Sequence, residues 1–383
     1  MNGERSPDVL VVGAGVVGLA CAWRAAQAGL EVRVLERDEP GSGASGVAAG
    51  MLAPVGEASW GEEAILEAAL ASHALWPEFA AELEAASGAP ARLLTSGALH
   101  VALDRDEAAE LRRRHELMAS LGLEAEWLSG TACRELEPGL APGIFGGVHA
   151  RHEAGVDPGA VVASLRVACE RAGVEIRSRV EVRGLLGGRR GSRVEGAVAA
   201  DGTHHAARAV VLAAGAWSGL DWVPEPARPP VRPVKGQILT LRGPAQAPIA
   251  GRIVVTERVY LVPRADGRLI AGATVEEMGF DTTVTAGGGH ELLREAYRTL
   301  PDVAELELER AVAGLRPGTP DNAPLVGPSA VEGLILATGH FRNGFLLAPL
   351  TARGVVAALV GSEPPAELAV ADPARFATAG SVA

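Results

Sequence analysis

The chain has 383 residues, 48% of them hydrophobic, and a formal net charge of −12 from 35 basic and 47 acidic side chains. That length exceeds what one hydrophobic core usually covers, so more than one domain is expected. The acidic balance argues against nucleic acid or an anionic membrane as partner; the nearest basic block, Arg112-Arg113-Arg114, reads as a solvated helix face.

Three cysteines, Cys21, Cys133 and Cys169, are odd in number and show no CxxC spacing, which speaks against a disulfide framework or a metal site and fits a reducing cytoplasm. Arg5 followed by the apolar run 9–22 imitates a signal peptide, but Gly13, Gly15 and Gly18 interrupt it. No stretch approaches the ~18 apolar residues of a membrane span.

In chain order, residues 8–12 read as a short apolar strand, 16–28 as a helix stopped by Gly29, and 31–35 as a second strand. A loop of small residues, 41–50, precedes a long helix over 62–86. Residues 92–103 read as strands around a turn at Ser96-Gly97, 106–121 as a helix, and 152–158 as a polar connector. Asp157 is a plausible N-cap, with Pro158 at the first helical position, for a helix reaching Ala172. Residues 174–200 suggest a strand and then a hairpin turning at Gly187–Gly191, and 209–212 a buried strand. Residues 231–241, 253–263 and 268–273 read as strands of an antiparallel sheet, 290–300 as a helix, 334–338 as a buried strand, and 346–360 as the last helix before a loose Pro- and Ala-rich tail.

The pattern implies an α/β dinucleotide-binding domain of Rossmann-like, glutathione-reductase type, in three segments (1–87, 146–222, 315–383). An α+β substrate domain with an antiparallel sheet is inserted in two (88–145, 223–314). The leading motif is Gly13-Ala14-Gly15-Val16-Val17-Gly18, following a strand and opening a helix. Gly13 permits the tight turn, Gly15 admits the pyrophosphate to the backbone, and Gly18 lets helix and strand pack closely. The helix N-terminus offers free N–H groups and partial positive charge to phosphates. Glu36, ending the second strand, can accept from both ribose hydroxyls and would repel a 2′-phosphate. The βαβ unit alone leaves FAD and NAD open. Ala214 and Gly215, closing the strand 209–212, and the strand–Gly–turn–helix of 334–344 favour FAD, because both suit close passage beside a bulky cofactor.

The segments VVGAGVVGLACAWRAAQAGLEVRVLER (11–37), GASGVAAGMLAP (43–54), VRPVKGQI (231–238), VYLVPR (259–264), AGAT (271–274), GLRPGTPDNAPLVG (314–327) and GHFRNGFLLAP (339–349) together resemble the FAD-dependent D-amino-acid and sarcosine oxidase superfamily, and within it most resemble the glycine oxidases that serve thiazole synthesis in bacteria. The resemblance covers residues 8–360. It implies that Val16, Val17, Glu36 and Arg37 contact the adenosine half of FAD. Ala44, Ser45, Ala49, Gly50 and Met51 would line the flavin, and Val180 would touch the cofactor from the middle segment. His340, Phe341, Arg342, Asn343, Gly344, Phe345 and Leu346 would wrap the isoalloxazine. Arg316 and Arg342 would hold a substrate carboxylate beside Tyr260, with Val275 as a pocket wall. The arginine assignment has an independent basis, since a small amino acid offers few handles besides its carboxylate and the guanidinium fork matches it. No cysteine follows Cys169, so FAD is expected to be non-covalent.

The implied reaction is oxidative deamination of glycine or a small amine by hydride transfer to the flavin, with molecular oxygen reoxidising it to give H₂O₂. Relatives are often homotetramers. Rival readings are a sarcosine or small D-amino-acid oxidase, a dehydrogenase with another electron acceptor, and a non-catalytic dinucleotide-binding module. Lys235 fits either a place near flavin and oxygen or a strand edge, and stays unassigned.

Overall fold

The computed structural model describes residues 6–187 and 193–376. Two sheets organise them. The first has six strands in the order Leu325–Pro328, Leu334–Thr338, Ala209–Leu212, Val9–Val12, Val32–Leu35, Glu175–Arg177. All neighbours run parallel except the first pair. The central strand Val9–Val12 is buried throughout, as a parallel sheet covered on both faces requires. Its alternate residues divide the two cores. Val9 and Val11 join a core with the helices Val16–Gln27, Glu63–Ser87, Pro158–Arg171 and Gly344–Val360, whereas Leu10 and Val12 join a core with the three-stranded sheet of residues 182–206.

The second sheet has eight strands: Glu307–Gly318, Arg232–Arg242, Arg268–Gly272, Tyr260–Pro263, Ile253–Val255, Ala98–Ala102, Gly146–Ala150, Glu126–Ser129. It is antiparallel apart from one parallel pair, Ile253–Val255 beside Ala98–Ala102. Its two faces also alternate. Leu239, Leu241, Leu261 and Leu269 pack with the helix Ala286–Thr299, while Ile238, Ile253, Val262 and Ile270 pack with Ala49 and partly buried Val47 and Met51 from the small-residue loop. The chain passes between the two sheets four times, after residues 35, 150, 212 and 318.

Several elements differ from the sequence expectation. Residues 92–103 hold one strand, Ala98–Ala102, because Leu94 makes only an isolated bridge to Gly155. The stretch 253–263 is two strands, since Thr256 Oγ1 accepts from the N–H groups of Arg258 and Val259 and turns the chain. The polar connector 152–158 runs inward: Glu153 and Asp157 are both buried. Gly146–Ala150 stays in the eight-stranded sheet, past the boundary expected at 145, and Glu307–Gly318 runs across the one expected at 314. The tail continues as short 3-10 turns at Ala366–Ala371 and Pro373–Phe376, anchored by buried Leu368 and Ala371. The hairpin turn expected at Gly187–Gly191 lies largely outside the described residues.

Candidate active site

Gly13 follows the first strand with φ +104°, a conformation that disfavours any side chain, and a Cβ there would stand 2.5 Å from the Ala213 carbonyl oxygen. A Cβ on Gly18 would overlap the Gly13 carbonyl, so helix and turn touch backbone to backbone. The helix Val16–Gln27 starts at Gly15 with no side-chain cap of its own. The Val16 N–H donates to Ser45 Oγ at 3.0 Å, which ties the small-residue loop to the helix start. Glu36 is fixed at the tip of the neighbouring strand, accepting from the Ala14 N–H at 2.7 Å and the Asp38 N–H at 2.9 Å.

These groups open on a cavity of about 290 Å³ between the two sheets. Gly15, Val16, Val17, Glu36 and Arg37 line one part of it; Ile238, Tyr260, Gly314 and Arg316, from the eight-stranded sheet, line another. Trp217 and Trp222 contribute further wall, with the Arg37 guanidinium 4.2 Å from the Trp217 ring centroid. A helix start whose N-cap residue is a glycine, a carboxylate at the next strand's tip and a long apolar floor suit a dinucleotide carrying a flat ring system.

The helix Gly344–Val360 presents its first turn, Gly344 and Phe345, to the same cavity. Its fixing depends on Pro349. Proline has no N–H, so the Phe345 carbonyl lacks its partner four residues on. Trp76 Nε1 donates to the carbonyls of Phe345 and Leu346 at 3.2 and 3.1 Å, and Ser72 Oγ donates to that of Leu346 at 2.7 Å. Before this helix, Gly339 and Phe341 both have positive φ, and the Phe341 N–H donates to the Pro317 carbonyl. His340 is buried against Thr351 Oγ1 at 2.9 Å, and burial pushes its pKa down to about 3, so its ring is neutral.

Arg316 lies in the strand Glu307–Gly318, opposite Val234. Its guanidinium rests on Gly236, where a Cβ would come within 2.6 Å of Cζ, and Nη1 donates to the Thr274 carbonyl at 3.1 Å. The Tyr260 hydroxyl is within hydrogen-bonding reach of Arg316; burial raises its pKa despite that cation, so it remains a donor at neutral pH. Arg342 also reaches the cavity, but its charge is engaged by Glu57 at 3.0 Å and Glu62 at 3.4 Å.

Of the residues expected at the site, Gly13, Gly15, Val16, Val17, Glu36, Arg37, Ala44, Ser45, Ala49, Gly50, Met51, Val180, Ala214 and Gly215 line the cavity. So do Tyr260, Arg316, His340, Phe341, Arg342, Gly344 and Phe345. Gly18 packs beneath the turn, Asn343 is the N-cap of the last long helix, and Leu346 points into the core. Val275 is 67% exposed and does not line the cavity; it follows the end of the strand Arg268–Gly272 and precedes Glu276, which pairs with Lys235. The sequence reading did not find Glu57, Trp217, Trp222 or Gly236. Glu57 lies three residues past the quoted loop motif, Gly236 lies inside the quoted segment 231–238 without having been given a role, and nothing local marks the two tryptophans. All three cysteines are buried and free, and burial raises their thiol pKa values, that of Cys133 to about 11. No helix among the described residues is long and apolar enough to cross a membrane.

Fold and site together define a dinucleotide-dependent oxidoreductase, with Arg316 lining its cavity from the eight-stranded sheet. The chain belongs to the family of FAD dependent oxidoreductases, whose pattern matches residues 8–359. It is 35% identical to a glycine oxidase of Pseudomonas aeruginosa over 98% of this chain and 99% of that one. It is 36% identical to the bifunctional protein ThiO/ThiG of Trichormus variabilis over 90% of this chain, which spans 51% of that longer protein. The crystal structure of glycine oxidase from Geobacillus kaustophilus superposes with a TM-score of 0.90 at 33% identity, covering 97% of this chain and 99% of that one.

Proposed function

We propose that this protein is an FAD-dependent oxidase of glycine and other small amines, feeding the thiazole branch of thiamine biosynthesis. The observation that carries the substrate class is Arg316: a guanidinium bedded flat on Gly236, anchored on one side by Thr274, with its remaining N–H groups and the Tyr260 hydroxyl available to a carboxylate. A planar fork beside a neutral donor binds a carboxylate through charge-assisted hydrogen bonds.

The proposed cofactor contacts follow the cavity lining. The helix start at Gly15–Val17 receives the pyrophosphate, and Glu36 receives the ribose. The loop 44–51 and the turn 340–345 flank the ring system, and the uncapped first turn of the last long helix favours negative charge there. Held by these residues without a covalent link, FAD would supply the two-electron acceptor for oxidation at the substrate Cα, with molecular oxygen as the final oxidant and H₂O₂ as its product. The imino acid product would then hydrolyse to a 2-oxo acid and ammonia, or an amine where the substrate nitrogen is substituted. Arg316 and Tyr260 orient the substrate, while Arg342, tied to Glu57 and Glu62, shapes the cavity rim. We read the six-stranded sheet as the core of the cofactor domain and the eight-stranded sheet as the core of the substrate domain, and we place the protein in the cytoplasm.

The test is H₂O₂ release from purified FAD-loaded protein given glycine, sarcosine, D-alanine and D-proline in parallel. Peroxide from glycine supports the reading, and the ranking of the four sizes the pocket. Silence on all four with FAD bound would remove it in favour of another amine or another acceptor.

A further inference from the structure

Lys235 has no part in the site described above, yet its side chain is completely buried. An ammonium in that position is costly unless it is paired. Both of its partners come from one segment, 274–285: Nζ donates to Asp281 Oδ2 at 2.7 Å and lies 3.6 Å from Glu276 Oε2. The hydrogen bond with Asp281 raises the Lys235 pKa and lowers that of Asp281 to about 2, so the pair is charged at neutral pH. The backbone repeats the attachment, with the N–H of each of Lys235 and Glu276 donating to the other's carbonyl at 2.9 Å.

Two residues along the same strand face, buried Gln237 holds the same segment. Its Nε2 donates to Glu276 Oε1 at 2.7 Å, and its Oε1 accepts from the Thr285 N–H at 2.9 Å. Its own N–H donates to Thr274 Oγ1 at 2.9 Å. The segment has no helix or long strand of its own, so these bonds place it, together with the exposed Arg232–Glu277 ion pair and the Trp217–Phe280 ring contact. Its first residue, Thr274, supplies the carbonyl that anchors Arg316. Between Lys235 and Gln237, and pointing the other way, lies Gly236, the bed of the same guanidinium.

We propose that Lys235 is a positioning residue for substrate binding: its buried ammonium clips the segment 274–285 to the strand Arg232–Arg242, and so holds the Thr274 carbonyl that fixes the orientation of the Arg316 guanidinium. This rests on Arg316 as the carboxylate ligand. The triplet Lys235-Gly236-Gln237 thus builds one device from both faces of a strand. The two outer residues place the anchor, and the glycine clears room for the group being anchored.

The test uses FAD-loaded protein and acetate, titrated against the flavin absorbance spectrum. Lys235→Met keeps the unbranched stem and leaves Asp281 partly open to water. The acetate dissociation constant is expected to rise about tenfold, and the glycine KM with it, while kcat at saturation stays within about threefold. Asp281→Asn, at a partly exposed position, loosens the same clip without disturbing a buried volume, and is expected to weaken acetate about threefold. It decides the matter if Lys235→Met does not fold. Wild-type acetate affinity in both variants, or a fall in kcat with no change in KM, overturns the proposal. Arg316→Ala run alongside separates the two failures. If it abolishes acetate binding and the clip variants do not change it, only the role of Lys235 falls. If none of the three changes it, the carboxylate reading falls as well.

Discussion

A methyl group at Gly236 should disable substrate binding without harming the fold. Built at ideal geometry, the Cβ of Gly236→Ala stands 2.5 Å from Arg316 Nη2 and 2.6 Å from Cζ. Ordinary contact between such atoms is about 3.5 Å, so the two groups must separate by about 1 Å. The backbone cannot give way, because the strand is paired on one side with Glu307–Gly318 and on the other with Glu276. The guanidinium therefore lifts and strains or loses its 3.1 Å bond to the Thr274 carbonyl. A displacement of about 1 Å in a positioning group costs about 100-fold in rate, and kcat/KM for glycine is expected to fall by about that factor. Gly236 does not occupy the left-handed region, so alanine adds no backbone strain. FAD content, read from flavin absorbance, should be unchanged. The assay is peroxide release over a glycine series. A kcat/KM within about threefold of wild type, with FAD bound, would refute the idea that Arg316 acts from this bed.

Three further outcomes follow from the geometry. Glu36→Gln sets an amide where a carboxylate accepts two backbone N–H bonds, and should weaken FAD about tenfold in a fluorescence titration; undiminished affinity would remove Glu36 from the cofactor site. Trp76→Phe removes the indole donor from the carbonyls of Phe345 and Leu346, and should cost about 1–3 kcal/mol in urea unfolding; a variant as stable as wild type would mean that the Ser72 bond to the Leu346 carbonyl suffices and the Phe345 carbonyl needs no indole donor. His340 has a folded pKa of about 3, below its unfolded value, so the unfolded chain takes up a proton that the folded one refuses. Stability should therefore fall by about 1.4 kcal/mol per pH unit as the pH drops below about 6.5 toward 3, and His340→Gln should flatten that part of the profile. Identical profiles for the two proteins would show that another group sets the acid limb.

The cofactor half of the site was legible because its chemistry is local. A strand, a positive-φ glycine, a helix start and Glu36 fall within about thirty residues, and each leaves a compositional mark. Arg316 needed the family resemblance, since an arginine between Gly314 and Gly318 has nothing local to mark it as a ligand. The strand that carries it begins with Glu307 to Ala311, exposed at the sheet edge, so no buried alternation announces it. Val275 came only from the resemblance, and nothing in its neighbours shows that its side chain faces solvent. Glu57, Trp217 and Gly236 meet only through connections between sheets, and no window of sequence contains such a meeting. Lys235 was undecidable from its neighbours because both of its carboxylate partners lie more than forty residues away.

The four passages of the chain between the sheets have a consequence for biosynthesis. The cavity draws on residues from Val12 to Phe345, and the strand Leu334–Thr338 must lie beside Ala209–Leu212 before its floor exists. A ribosome-bound chain can form the first glycine turn early, but it has nowhere to seat the whole cofactor until nine-tenths of the protein has emerged. FAD capture is therefore a closing event of folding, and a chain stopped short of the last strands would be apoprotein whatever the supply of flavin.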